Sequence, residues 1–239
     1  LYDRLADKHA VFGSKMGWER PNFFAPSRAE AKIDYSLDRQ NWFGFSAAEH
    51  RAARENVAVF DQSSFAKFLL QGRDAAAALQ RLCANDMNVP VGTSVYTGLL
   101  NDRGTYESDL TIARIAHDRF LIVTGTAQAT RDAVWINRNL AADAHAHLTD
   151  VTSSYAVLAL MGPRARDLLR RLSKASLDNA AFPFGAVREI GIGHANVLAV
   201  RRTYVGALGW ELYVPVELAT GVYDTIMQAG TDLDLKDAG

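Results

Sequence analysis

The chain has 239 residues, with 26 Lys+Arg against 27 Asp+Glu, six His and one Cys, and 49% of its residues are hydrophobic. That length admits one large domain or two small ones, with ample material for a core. A net charge of -1 gives no basic field for duplex nucleic acid, no apolar run approaches the roughly 20 residues that cross a bilayer, and a single Cys excludes a disulfide framework or a thiolate metal cluster while suiting a reducing compartment.

In chain order, the first residues are Leu1-Tyr2-Asp3, with neither an initiator Met nor a leader, so processing or excision is expected to have made this terminus. Residues 1–45 hold five of the eleven Phe, together with Trp18 and Trp42. Trp18-Glu19-Arg20-Pro21-Asn22 and Arg39-Gln40-Asn41-Trp42-Phe43 read as turns with aromatic anchors, and the segment as a whole as a strap over a neighbouring surface. A helix is expected from Ser46, an N-cap residue with Glu49 at the capping-box spacing, running through Arg54 and Glu55 towards Val57.

The sequence then repeats. Residues 65–82 align with 155–172 at a constant offset of 90, with seven of 18 positions identical. Each copy has an apolar strand, a Gly turn (Gly72, Gly162) and a helix with one apolar face, and Pro163 is placed in the first helical turn of the second copy. Phe120–Thr124 and Glu211–Pro215 are a second pair of strands, each leading into a helix near 127–140 and 217–229. Further strand pairs are expected at Val95–Leu100 with Tyr106–Ile115, joined by the turn Asn101-Asp102-Arg103-Gly104, and at Asn196–Arg202 with Gly209–Val214. The expected fold class is α+β, built from duplicated, ferredoxin-like strand–helix–strands–helix units, and not a doubly wound sheet. The expected boundaries are 1–45 for the lead segment, 46–150 for the first repeat and 151–239 for the second.

Several motifs fall away. Gly191-Ile-Gly193-His-Ala-Asn196 lacks the third Gly of a dinucleotide loop and leads into a strand. His145 and His147 have no third metal ligand spaced near them, so no metal site is expected. Cys83 reads as a small core residue on the buried side of an Ala-rich helix.

Two stretches resist a bland reading. Asp109 interrupts a strand of good β-formers, which demands edge exposure, a hydrogen bond or a function, an outward-facing solvated acid being the competing reading. In Arg201–Pro215, Gly206 and Gly209 between aromatics suggest a close backbone approach, and Glu211 enters an apolar strand. Glu211 is read as the counterpart of Asp109 in the other repeat, with both acids expected in one cleft.

Val59-Phe60-Asp61-Gln62-Ser63-Ser64-Phe65-Ala66-Lys67, Asn101-Asp102-Arg103-Gly104 with Ser108-Asp109-Leu110, and Tyr204-Val205-Gly206-Ala207-Leu208-Gly209-Trp210-Glu211 resemble the glycine-cleavage aminomethyltransferase family. More closely, with Lys15–Arg20, Asn41-Trp42-Phe43 and the Trp210–Pro215 form, they resemble the folate-binding C-terminal part of dimethylglycine and sarcosine dehydrogenases. The resemblance covers essentially the whole chain and implies the aminomethyltransferase fold with a tetrahydrofolate site. It also implies a role for each matching residue: Asp109 assists one-carbon transfer and contacts the folate, Glu211 grips the pterin's amino and ring N–H groups, and Tyr96 and Tyr204 line the pocket. The chemistry agrees, because one carboxylate can accept both donors of an aminopyrimidine edge, and another can remove a proton and support a developing cation.

The implied reaction is capture of the methyl-derived one-carbon unit of an oxidised N-methyl amine as 5,10-methylenetetrahydrofolate. Its implied partners are folate, the amine-derived unit, and an N-terminal FAD domain of the same longer chain, with no flavin fingerprint in these residues. A bacterial cytoplasm or a mitochondrial matrix is the implied compartment. Two alternatives stand beside it: a folate-binding or scaffolding module without turnover, and a stand-alone aminomethyltransferase. The sequence departs from the family pattern at Ala207, where relatives carry an acid, and the family continues past position 239.

Overall fold

A computed structural model describes all 239 residues. The chain opens with α1 (Tyr2–Ala6) and a two-stranded hairpin, β1 (Ala10–Lys15) and β2 (Trp18–Phe24). Met16 and Gly17 turn it, at φ of 53° and 84°. The stretch expected as a turn at Trp18–Asn22 is therefore a strand, and Pro21 is tolerated there because a two-stranded sheet leaves each strand one edge without a ladder. Arg39–Phe43 does turn, with Phe43 N–H donating to Gln40 O at 3.1 Å, and leads into α2 (Phe43–Glu55).

That helix starts three residues ahead of the expected cap. Ser46 N–H donates to Trp42 O at 3.0 Å, so Ser46 lies inside the first turn. Glu49 makes no capping box either. Its buried carboxylate accepts Phe24 N–H at 2.6 Å and Gly239 N–H at 3.2 Å, which ties β2 and the last residue to the helix.

Two copies of one pattern follow. The first is β3 (Ala58–Asp61), β4 (Ala66–Gln71), α3 (Ala75–Leu82), β5 (Thr93–Leu100), β6 (Tyr106–Ala116), β7 (Arg119–Thr124) and α4 (Ala129–Asn139). The second is β8 (His147–Asp150), β9 (Tyr155–Met161), α5 (Ala165–Leu172), β10 (Val187–Ile192), β11 (Ala195–Val200), β12 (Gly209–Pro215) and α6 (Ala219–Ala229), with β13 (Lys236–Ala238) closing the chain. The duplicated α+β architecture stands. Pro163 lies in the turn two residues ahead of α5 and not in its first helical turn.

The repeats exchange their first strands. β3 pairs antiparallel with β9, and β8 pairs antiparallel with β4. The resulting sheets run β5-β6-β7-β4-β8 and β10-β11-β12-β9-β3-β13. The chain divides into two compact units: residues 1–64, 154–184 and 189–239 form the first, and residues 65–153 and 185–188 the second.

The same tight turn joins strand to helix in each. Gly72 and Gly162 sit at φ of 135° and 134°, and a Cβ there would stand 2.0 Å from His145 O or 2.3 Å from Asn56 O. Only glycine meets both demands. In the second unit, Leu79 and Leu82 of α3 and Ile136 of α4 cover one sheet face made of Phe68, Leu70, Leu99, Leu110, Ile112, Phe120 and Ile122. Each such fully buried side chain contributes roughly 2 kcal/mol of transfer free energy. In the first unit, every residue of β12 from Gly209 to Val214 is buried, and α5 and α6 pack on that sheet through Leu168, Leu169, Val222 and Ile226.

Register refines the repeat. β7 and β12 are equivalent, since each pairs with the first long strand of its copy (Ala66 with Thr124, Met161 with Gly209). Thr111 faces Val123 on one side of this correspondence, and Leu198 faces Tyr213 on the other. The connection before β12 is therefore three residues longer than the one before β7. Arg114 and Arg201 become equivalents, and they behave alike: Arg114 lies 5.4 Å from the Phe120 ring and Arg201 5.6 Å from the Trp210 ring.

Candidate functional site

In the second unit, β5 and β6 pair so that Gly98 faces Asp109 and Tyr96 faces Thr111. Strand alternation sends Ser108 and Leu110 into the core and Asp109 to the opposite, exposed face. Because β6 lies between β5 and β7, the edge explanation for this acid fails. Asp109 is instead outward-facing and hydrogen-bonded: the Tyr96 O–H donates to its Oδ2.

Gly98 contributes by what it lacks. A Cβ at that position would stand 2.3 Å from the Tyr106 ring, so the glycine lets Tyr106 lie across the strand opposite Asp109. Two tyrosine rings, 57% and 67% exposed, thus accompany one exposed carboxylate. Such a face can accept a proton and offer flat apolar surface to a planar ligand. Below it, Asn101 builds the hairpin turn by accepting the Arg103 and Thr105 amides at 3.0 and 3.2 Å, with Gly104 at φ 72°.

The first unit holds the second acid. Glu211 lies in the middle of a sheet, facing Ala159 of β9 and Val200 of β11, at 6% exposure. Tyr213, two residues on and on the same face, donates its O–H to Glu211 Oε2 at 2.8 Å. Burial pushes the Glu211 carboxyl above its ordinary range and the Tyr213 phenol well above its own, while the Arg202 guanidinium pulls both back down. Tyr204, 68% exposed in the connection before β12, is near enough to Tyr213 to influence its ionisation. Gly209 shows the close backbone approach its position suggests, since a Cβ there would stand 2.2 Å from Met161 Sδ and 2.9 Å from Arg202 O.

Of the four residues expected from the sequence, Tyr96 and Asp109 meet in the second unit, and Tyr204 and Glu211 share one neighbourhood of the first. The equivalence drawn between the acids is wrong. By register, Asp109 corresponds to Asn196 on β11 and Glu211 to Leu121 on β7. The three-residue insertion before β12 hid this, because a fixed offset fails across it. Sequence reasoning also missed Tyr106, Arg202 and Tyr213. Tyr213 was within reach, being one strand period from Glu211.

Gly193 turns the β10–β11 hairpin at φ 57°. His145 and His147 are exposed, and no cluster of three or more His, Cys, Asp or Glu gathers to hold a metal. Cys83 caps α3 against the core, where burial pushes its thiol up to about 12. No helix is long and apolar enough to cross a membrane.

The family model described as GCVT N-terminal domain matches residues 1–239. The chain is 41% identical to a 4-methylaminobutanoate oxidase (formaldehyde-forming) of Paenarthrobacter nicotinovorans, over all of this chain and 29% of that protein. It is 38% identical to the mitochondrial pyruvate dehydrogenase phosphatase regulatory subunit of Mus musculus, over all of this chain and 28% of that one. Human mitochondrial dimethylglycine dehydrogenase is 31% identical, again over the whole chain and 28% of the relative. The chain thus spans under a third of the length of these relatives. Among solved structures, the glycine cleavage system aminomethyltransferase T of Bartonella henselae superposes over 100% of this chain and 58% of its own, with a TM-score of 0.79 at 22% identity, which establishes the shared fold.

Proposed function

Because this chain belongs to the GCVT N-terminal domain family, and so is an aminomethyltransferase-like domain related to dehydrogenases of N-methyl amines, we propose that it takes up the methyl-derived one-carbon unit of an oxidised N-methyl amine onto tetrahydrofolate. The oxidation itself is assigned to an FAD domain outside these 239 residues.

The observation that carries this reading is Glu211. A carboxylate stands in the middle of a buried strand where the equivalent strand of the other repeat has Leu121, so nothing in the fold demands it. The surroundings suit the aminopyrimidine edge of a pterin. Tyr213 satisfies Oε2; burial raises this carboxyl, and the Tyr213 bond and the Arg202 charge oppose that rise. A ligand edge carrying two donors then meets an acceptor already stripped of water. Tyr204 offers a ring face to the ligand. When bound, the reduced folate supplies the nucleophilic nitrogens for the one-carbon unit.

Asp109 is assigned the proton. Capture of a one-carbon electrophile by an amine leaves a proton to be removed and positive charge to be supported, and a carboxylate does both. The Tyr96 O–H on Oδ2 fixes that carboxylate's direction.

A second reading has its own support, since one relative of 38% identity is called a regulatory subunit. In that reading the chain binds a ligand without turning it over. One experiment separates the two: follow loss of carbon-13 formaldehyde by NMR with tetrahydrofolate, in buffer, with the chain and with Asp109→Asn. The proposal expects the chain to beat the buffer rate at least tenfold, and Asp109→Asn to fall back to it while still binding folate. Binding at the buffer rate by the unaltered chain would establish the non-catalytic reading instead.

A further inference from the structure

Beneath Asp109, on the buried side of the same sheet, lies a second acid. Asp132 of α4 is at 0% exposure. The Ser108 and Thr124 hydroxyls both donate to its Oδ2, at 2.8 and 2.6 Å, while Oδ1 is buried with no hydrogen-bond partner. Loss of water pushes this carboxyl above its ordinary range; the Asp109 charge pushes the same way, and the Thr124 and Ser108 bonds and the Arg131 charge oppose.

A half-satisfied acid in an apolar core costs folding free energy. The other repeat shows that the architecture does without it. At the equivalent strand positions it carries Ala195 and Val214, and the fourth residue of α6, where α4 has Asp132, is Val222; all three are buried. A local rule broken in one copy and kept in the other points away from folding and towards use.

The use follows from position. Ser108 directly precedes Asp109 on β6, and successive side chains of a strand point to opposite faces. A bond that holds Ser108 inward therefore fixes the direction in which Asp109 leaves the other face, and with it the Tyr96 contact. We propose that Asp132 is a positioning residue for Asp109, acting through Ser108 from the opposite side of the sheet. This rests on the reading of Asp109 as the proton-handling acid.

The test grafts the second repeat's solution into the first: Ser108→Ala with Thr124→Val and Asp132→Val, compared with Asp132→Asn alone, which keeps an acceptor for the two hydroxyls. Three quantities are read: Tm, tetrahydrofolate Kd, and capture rate at saturating folate. The expected triple variant has a Tm equal to or above that of the unaltered chain and a Kd within about twofold of it. Its rate is lower by roughly ten- to a hundredfold, the scale of a small misplacement of a reacting group. Asp132→Asn is expected to keep most of the rate. A triple variant with undiminished rate overturns the inference, as does a rate that falls only in step with Tm. An unaltered chain that never exceeds the buffer rate overturns the reading of Asp109, and this inference with it.

Discussion

The two repeats have one scaffold and two chemistries. Gly72 and Gly162, Arg114 and Arg201, Phe120 and Trp210, α4 and α6 all do the same work in each copy. Against that background the polar differences stand out. The first copy has Ser108, Thr124 and Asp132 where the second has Ala195, Val214 and Val222; the second has Glu211 and Tyr213 where the first has Leu121 and Val123. The second also has three extra residues before β12, in the connection that carries Arg202 and Tyr204. The copies share the turns, the ring-holding arginines and the helices, and they diverge at these buried polar groups.

The comparison can be broken at its strongest point. Gly72→Ala and Gly162→Ala should each destabilise by about 3 kcal/mol or more, since a positive φ and a carbonyl collision coincide at both. Denaturant unfolding of the two variants should agree within about 1 kcal/mol; a tolerant member of the pair would show that the turns are not equivalent. Next in size, Arg114→Ala and Arg201→Ala should each cost about 2 kcal/mol. Each guanidinium holds a buried aromatic ring and bonds a backbone carbonyl, Val89 O at 2.8 Å for Arg114 and Phe182 O at 2.6 Å for Arg201.

The smallest stability effect is expected from the largest chemical change. Glu211→Leu with Tyr213→Val, the first repeat's residues, should leave stability within about 1 kcal/mol at neutral pH, or raise it. The pH dependence gives the sign. The Glu211 carboxyl is raised in the folded chain, so the folded state takes up its proton before the unfolded state does. Its contribution is full below the ordinary glutamate range and fades as pH rises through the raised value. The unaltered chain should therefore gain stability relative to the double variant as pH falls from neutral towards the ordinary glutamate range, in thermal melts.

The sequence showed the duplication because its signals are local: a Gly turn, an Ala- and Leu-rich helix face and a β-rich run recur with little drift. It hid the lead hairpin, because Pro21 and the aromatics around it read as a turn when the strand has only one partner. It also hid which acid corresponds to which, since register is a property of paired strands and an insertion of three residues shifts it silently. Asp132 was invisible for another reason. One Asp on an amphipathic helix looks like a solvated face, and only the packed sheet shows that it points inward. Asp109 and Glu211 were legible because each interrupts a strand that would otherwise read as apolar.

We propose that the divergence between the copies serves a folate. A calorimetric titration of tetrahydrofolate into the chain and into Glu211→Gln tests it most directly. Saturable binding by the chain, weakened at least tenfold by a substitution that leaves the Tm in place, is the predicted result. Absence of binding to the chain, or equal affinity in the two proteins, would contradict it.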